Sequence, residues 1–484
     1  MQRCPHNDAE IPVVAVVIVL VMGVSTTFWS LVGLGRVLYA RRRRQLPQHL
    51  RRRWPAARLR RRWRPEHLRR RWVPRRTVFH GNGAGPLGPA DVAVLVAAHN
   101  EELVIAETIR AASRLVDIAN IHVVSDGSGD DTALEAVAAG AHVLELNPNR
   151  GKAGALAAGI EHFELCRRFQ VVLLLDADTH LAADYLTTGL PLFGDPEVVA
   201  VAGRARTIDD PAPPTRFGRF LIAYRERLYL IVQLLLKFGQ AAKWANAVTI
   251  VPGFASMYRT SALARIDVTG AGLVIEDFNM TFEIHAKKLG RIEFHPSAAT
   301  AYTQDPDTLG EYVRQVRRWI LGFWQTVRRH RFHTGVFWVA LALFIVELII
   351  SSLLLVLLIP LLLGSMLATA LIAIAPDAGS WSAWLAGLFT PQDVLIGFLL
   401  PDYLLTIMAA CVLRQPRYLL LGLGFPLMRI VDAALCLRAL PTAWLARSSG
   451  VWISPTRRAN PPPVTADDVG ISPPTLTSAG GNST

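Results

Sequence analysis

"VVLLLDAD", residues 171–178, runs five apolar residues straight into two carboxylates, Asp176 and Asp178. A short unbroken apolar run is the mark of a strand covered on both faces, as in a parallel sheet. "VAVLVAA" (92–98) and "IHVVS" (121–125) have the same form, and the segments 102–115, 130–139 and 152–165 read as helices. Strands alternating with helices predict a layered α/β domain. Ligands in such sheets bind outside the carboxyl ends of the strands, so polar residues at those ends carry the functional argument.

Four places are informative. "HNEE" (99–102), "DGSGDDT" (126–132) and "DAD" (176–178) each follow a strand, and "NRGKAGAL" (149–156) opens a helix. Carboxylates two apart can offer hard oxygen ligands to a divalent cation, which then bridges a diphosphate. Turn chemistry explains any one such cluster, since Asp and Ser favour turns. It does not explain four on one sheet edge. "NRGKAG" is not a P-loop and "GSGDDT" is not GxGxxG, so phosphate is held by another arrangement. His99, His285 and His295 lack ligand spacing and are expected to be structural. Cys4, Cys166, Cys411 and Cys436 form neither a disulfide framework nor a zinc pattern.

The chain has 484 residues, and its apolar residues are unevenly spread. Residues 11–37 form one nearly uncharged stretch and 335–445 hold several more, at the length of about 20 residues that spans a bilayer. Charge is equally localised. Residues 41–76 contain seventeen arginines and one acid, Glu66; their +16 exceeds the chain's +13 and leaves −3 elsewhere. Leu50–Trp54, Leu59–Trp63 and Leu68–Trp72 repeat the unit Leu-Arg-Arg-Arg-Trp at nine-residue spacing, with a proline within two residues of each Trp. Proline prevents one continuous helix, and arginines with indoles suit the headgroup layer. The segment from Arg41 to Arg76 is therefore expected to lie on anionic membrane lipids, at about 1 kcal/mol per cation. Nucleic acid, the other partner of such a composition, is not expected, because the segment is tethered to a membrane span. Arginines directly after a span place that side in the cytoplasm.

At this point the ordered set "VAAHNEE", "SDGSGDDT", "NRGKAGAL", "DADT", "VPGFASMYR", "EDFNMTFEIHAKKLG" and "QVRRW" resembles the membrane-embedded family 2 glycosyltransferases, which include cellulose, chitin, hyaluronan and poly-N-acetylglucosamine synthases. The resemblance covers roughly residues 91–325. It implies an α/β GT-A-like nucleotide-sugar-binding domain inserted between transmembrane α-helices. Asn100, Glu102 and Asp126 would hold the uracil and ribose of a UDP-sugar, with Lys152 near the nucleotide or diphosphate. Asp176 and Asp178 would form the DxD, Asp178 being the direct ligand of Mg²⁺ or Mn²⁺. Gly253 would line the acceptor pocket, Asp277 would be the general base, and Glu276 would shape the site. Ser125 departs from the pattern where many relatives have aspartate, and His99 stands where tyrosine is common; neither removes a group the chemistry requires.

Gln315, Arg318 and Trp319 fall at i, i+3 and i+4, one face of a helix. The resemblance implies that this face closes over the nucleotide, Arg318 on the diphosphate and Trp319 on the acceptor sugar. Arg314, Arg317, Arg328 and Arg329 are expected to meet lipid phosphates. The organisation predicted is an N-terminal transmembrane helix (1–40), the Arg/Trp segment (41–80), a linker (81–90), the transferase domain (91–305), interfacial helices (306–333), three or four spans (334–446) and a disordered tail (447–484). Residues 335–375 could be two short spans, or one span and a re-entrant piece. Arg429 and Asp432, three apart, would either neutralise each other or line a saccharide conduit. The function expected is inverting, metal-dependent transfer from a UDP-sugar, with UDP-N-acetylglucosamine the leading donor, to a growing polysaccharide at the cytoplasmic face of the plasma (inner) membrane. The alternatives are single-sugar transfer to a lipid or protein acceptor, and a non-catalytic nucleotide-binding scaffold.

Overall fold

The computed structural model describes residues 23–45, 86–208, 212–270, 272–375, 379–388 and 390–445. The Arg/Trp repeat at 50–72, the first half of the expected N-terminal span and the tail from 447 lie outside the described residues.

Ten strands build two sheets. β1 (Val92–Ala98), β2 (Ile121–Asp126), β3 (His142–Leu146), β4 (Val171–Asp176), β6 (Val198–Ala202), β8 (Ala255–Arg259) and β9 (Arg291–Glu293) form one sheet in the order β3-β2-β1-β4-β8-β6-β9. β5 (Thr179–Leu181), β10 (Thr300–Thr303) and β7 (Arg204–Thr207) form the other. β1 pairs in parallel with both β2 and β4, as their continuous apolar runs predict. β8 runs antiparallel to β4 and β6, and β9 is parallel to β6. Consequently the carboxyl ends of β1, β2, β4, β6 and β9 share one edge with the amino end of β8.

Side chains alternate across the sheet with period two. Ala93, Leu95 and Ala97 pack into one core with Ala155 and Leu156 of α4 (Gly151–His162). Val92, Val94, Val96 and Ala98 pack into the opposite core with Ile105, Ile109 and Ala112 of α2 (Ile105–Ser113). Helix α3 (Thr132–Ala138) completes that side. The helix expected from residue 102 begins at 105, because Asn100 adopts a left-handed backbone (φ 54°) that starts a turn there. Gly159 is needed for close approach of α4: a Cβ there would sit 2.7 Å from Val124 Cγ2 and 2.8 Å from Leu95 Cδ1.

Helix α1 (Val24–Gln45) lies outside the sheet, against the π-helical turn Val232–Lys237 that extends α5 (Arg216–Ile231) and the short turn Phe238–Gln240 after it. After α6 (Glu276–Ala286) and α7 (Leu309–His330) come three helices long and apolar enough to cross a membrane: α8 (Val336–Ile374), α9 (Ser380–Leu413) and α10 (Arg417–Leu445). The stretch expected to hold two short spans or a re-entrant piece is instead one continuous helix of 39 residues with Pro360 inside. Apolar neighbours on both sides of Pro360 keep α8 packed against α10 despite the missing hydrogen bond.

The charged groups of these helices pair differently from their spacing in the sequence. Arg429 Nη1 donates to Asp402 at 3.0 Å, and Arg227 of α5 donates to the same oxygen at 2.6 Å, while the Arg429 charge also acts on Asp432. Asp432 accepts from the hydroxyls of Tyr224 and Tyr312, each at 2.7 Å. Residues three apart on one helix do face the same way, but here that face meets α5 and α7, whose polar groups reach further in. Arg329 and Arg328 also turn to protein: Arg329 pairs with Asp267 at 2.8 Å and Arg328 donates to the Trp444 carbonyl.

Candidate active site

A cavity of about 750 Å³ opens at the shared sheet edge. Its walls hold Lys152, Asp176, Asp178, Gly253, Glu276, Asp277, Gln315, Arg318 and Trp319, nine of the twelve residues singled out in the sequence. The other three stand on the adjoining loops. Asn100 Oδ1 accepts from the Gly129 amide at 2.8 Å, and Glu102 accepts from the Asp131 amide at 3.2 Å. Asp126 accepts from the Arg150 amide at 2.8 Å through one oxygen. Its other oxygen is buried without a hydrogen-bond partner among the described residues. Burial pushes that carboxyl above the usual aspartate range.

Lys152 organises the centre. Its Nζ lies 2.6 Å from Asp176 Oδ1 and 2.9 Å from Glu276 Oε1. Burial works against the ammonium, but the two carboxylates outweigh it and hold the lysine above its ordinary pKa. Burial likewise opposes the Glu276 carboxylate, and Lys152 overcomes it, so Glu276 is held below the usual range. Asp277 has no such partner. Burial, and then the Glu276 charge, push it up to about 7. Its Oδ2 accepts from the Gly253 amide at 3.3 Å and its Oδ1 from the Phe278 amide at 2.7 Å. A Cβ at 253 would come within 3.0 Å of Glu276 Oε1 and 3.2 Å of Lys152 Nζ, so glycine leaves this ion pair its room.

Among the described residues no three His, Cys, Asp or Glu side chains form a ready-made metal cluster. Asp176 and Asp178 nevertheless fit a divalent cation whose remaining ligands come from phosphate and water, the usual arrangement for Mg²⁺. Asp178 is buried, and burial holds the Asp176 carboxyl above its ordinary range. A cation there would compensate both.

One helical stripe serves two purposes. Gln315, Arg318 and Trp319 of α7 face the cavity, while Gly322, Gln325 and Arg329, further along the stripe, hold the segment 267–275 that leads to Asp277. Beneath Gln315 and Trp319 lies a residue that sequence reasoning missed. Arg225 is fully buried, donates to Gln315 Oε1 at 3.1 Å and stacks 4.3 Å from the Trp319 ring. Asp305 and Tyr229 fix it, Asp305 Oδ1 accepting from Arg225 Nε at 3.1 Å and from Tyr229 at 2.9 Å. The signal was a run of Arg, Glu and Arg at 225–227 inside an otherwise apolar helix. Lys237, also unforeseen, lines the same cavity. His285, by contrast, is structural as expected: it bonds the Val248 carbonyl at 3.0 Å and stacks on Phe337.

Residues 171–376 match the sequence model of the family described as "Glycosyl transferase family group 2". That stretch, from β4 into α8, resembles a family 2 glycosyltransferase domain. The chain is 31% identical over 246 residues to a probable glycosyltransferase, YdaM, of Bacillus subtilis, covering 48% of this chain and 54% of that one. It is 26% identical over 249 residues to the poly-beta-1,6-N-acetyl-D-glucosamine synthase of Staphylococcus aureus, covering 50% and 57%. The chain thus spans a little over half the length of these relatives. Among solved structures, the mannosyltransferase PcManGT of Pyrobaculum calidifontis, in complex with GDP-Man and Mn²⁺, is 18% identical; the match covers 89% of this chain and 98% of that one, at a TM-score of 0.47. Glucosyl-3-phosphoglycerate synthase of Mycobacterium tuberculosis is also 18% identical, covering 49% and 80% at a TM-score of 0.32. The matched stretch takes in β4 to β10 of the sheets described above and runs on into the first of the apolar helices.

Proposed function

We propose that this chain transfers a sugar from a UDP-sugar to a growing saccharide, with inversion at the anomeric carbon. The observation that carries this reading is the division of labour around Lys152: Asp176 and Glu276 both pair with it, while Asp277 makes no ion pair among the described residues and has its pKa raised to about 7. A carboxyl poised there can take a proton near neutral pH, which is what a general base needs.

In the reaction the acceptor hydroxyl oxygen forms the new bond to the anomeric carbon, and the bond from that carbon to the UDP oxygen breaks. Asp277 receives the hydroxyl proton. Arg318 stands at the cavity mouth to pair with the diphosphate, favoured by the bidentate geometry of guanidinium. Trp319, held flat by Arg225, offers an aromatic face to the acceptor sugar. Mg²⁺ or Mn²⁺ on Asp176 and Asp178, when bound, supplies charge neutralisation for the leaving diphosphate. Asn100, Glu102 and Asp126 take the uridine, the buried free oxygen of Asp126 accepting from it.

The named relative supports N-acetylglucosamine as the sugar and a polymer as the product. The three apolar helices and the arginines of 41–76 support a multi-pass protein of the inner membrane with its catalytic domain in the cytoplasm. The test is UDP release by the detergent-purified chain with Mg²⁺ or Mn²⁺ and a panel of UDP-sugars, the products being sized on a gel. Release with UDP-N-acetylglucosamine and a long product is expected. Single additions would replace the polymerase reading with transfer to a lipid or protein. Neither release nor metal-dependent UDP binding would sink the catalytic reading.

A further inference from the structure

The wall of the cavity formed by α5 and its π-helical extension presents Leu228, Tyr229, Val232, Gln233 and Lys237. Two of its polar groups are already engaged. Tyr229 bonds Asp305 and Arg225, and Gln233 bonds the backbone of Ala205 through both its oxygen and its nitrogen. Lys237 differs. It is 5% exposed, yet among the described residues its amine makes no hydrogen bond or salt bridge; the Phe294 ring lies at 5.5 Å, and the Asp277 carboxylate acts on it only through its charge, without direct contact. Burying an ammonium with no anion in hydrogen-bonding contact is costly.

Topology places this lysine. The residues assigned to the nucleotide, Asn100 and Asp126, follow β1 and β2 on one side of the sheet edge. Phe294, against which Lys237 sits, follows β9 at the opposite end of the strand order. Asp176, Gly253 and Asp277 stand between. Lys237 is therefore beyond the base from the nucleotide, on the acceptor side. The π turn that carries it adds a residue to the helical repeat, a feature frequent at functional sites.

Resting on the transferase reading above, we propose that Lys237 forms an anion-accepting subsite on the acceptor side of the cavity, so that the acceptor carries a phosphoryl or carboxylate group next to the sugar being extended. Both groups accept charge-assisted hydrogen bonds from an ammonium. The source is either an acidic saccharide or a lipid phosphate, and the apolar residues Leu228 and Val232 of the same wall accommodate the body of either. Burial lowers the Lys237 pKa to about 8, which accords with a cation whose partner arrives with the substrate.

The experiment uses the full chain in neutral detergent, with calorimetry of UDP first and then of four probes, both with UDP and Mn²⁺ saturating and without them. The probes are an oligogalacturonate against maltohexaose, and farnesyl phosphate against farnesol. We expect one anionic probe to bind at least ten-fold more tightly than its neutral counterpart. In K237M that preference should vanish, the loss exceeding any loss for UDP by ten-fold, while K237R should retain it. Which anionic probe binds identifies the source. K237Q, closer in polarity, replaces K237M should the latter fail to fold, as judged by its melting temperature. Equal binding of charged and neutral probes by the unaltered chain overturns the subsite. So does a K237M defect confined to UDP, which would assign the lysine to the donor diphosphate. Absence of UDP binding would overturn the transferase reading alone, since the probe preference is read without UDP as well.

Discussion

The backbone N–H of Val274 donates to the carboxamide oxygen of Gln325 at 3.0 Å, tying the segment before Asp277 to the helix that carries Arg318. Ile275 rests against Gly322 on the same stripe, where a Cβ would come within 2.9 Å of it, and Asp267 pairs with Arg329. Asp277 and Arg318, base and diphosphate partner in the proposed reaction, are thus held by one rigid element, and displacement of either moves both.

Gln325→Leu tests that link. It leaves the Val274 N–H unpaired in a buried place, which costs about 1–3 kcal/mol. The variant should melt earlier and transfer more slowly, with UDP affinity less affected than turnover. A turnover equal to that of the unaltered chain would show that the bond does not position the base.

Asp277→Asn keeps the shape of the side chain and removes its ability to take a proton. Transfer should fall by about 10²–10⁴-fold, with UDP binding retained in calorimetry. Full activity in this variant would reassign the base.

The raised pKa of Asp277 fixes the sign of two pH dependences. Its carboxylate form appears as pH rises through about 7, so transfer should increase across that range. Stability goes the other way. The folded state keeps a proton that the unfolded chain has already lost above its ordinary value near 4, so stability falls as pH rises between about 4 and 7, then levels. Both slopes should be absent in Asp277→Asn, as rate profiles and melting curves would reveal.

Asp402 accepts from two arginines of different helices, Arg227 and Arg429. Asp402→Ala would leave two cations without their carboxylate among apolar helices, a change of about 3–5 kcal/mol. A large fall in melting temperature in detergent is expected; an unchanged one would mean that water replaces the carboxylate.

Gly239 packs against the backbone of Trp29, and any Cβ there would overlap the Trp29 carbonyl. Gly239→Ala should therefore loosen α1 from the domain, lowering the melting temperature and exposing the segment around Trp29 to protease. Unaltered protease resistance would indicate that α1 shifts without detaching.

Much of this arrangement was legible because it rests on short-range rules. "VAVLVAA" and "VVLLLD" could be read as strands buried on both faces, and parallel pairing carried the clusters at 99–102, 126–132 and 176–178 to one edge without further information. The spacing of Gln315, Arg318 and Trp319 declared a common helix face. What could not be read depends on distant partners. The three-residue spacing of Arg429 and Asp432 left mutual pairing and a saccharide conduit both open, because the groups that meet them come from α5, α7 and α9, far away in sequence. Lys237 sits in an apolar-looking run and gains its place only because a π turn and the fold direct it into the cavity. Pro360 suggested a break in α8, yet packing on both sides of it preserves the helix.

Helix α1 is also a matter of timing. Its contacts lie far downstream: Ser30 bonds the Leu235 carbonyl, 205 residues later, and the Ser25 amide is received by Glu347, 322 residues later. At about 5–20 residues per second, a ribosome needs roughly 10–40 seconds to reach the first of these partners. The segment made first in the described chain is consequently among the last to find its place. Whatever accompanies it during synthesis must keep its apolar face, including Trp29, from other partners until the segment 236–247 arrives.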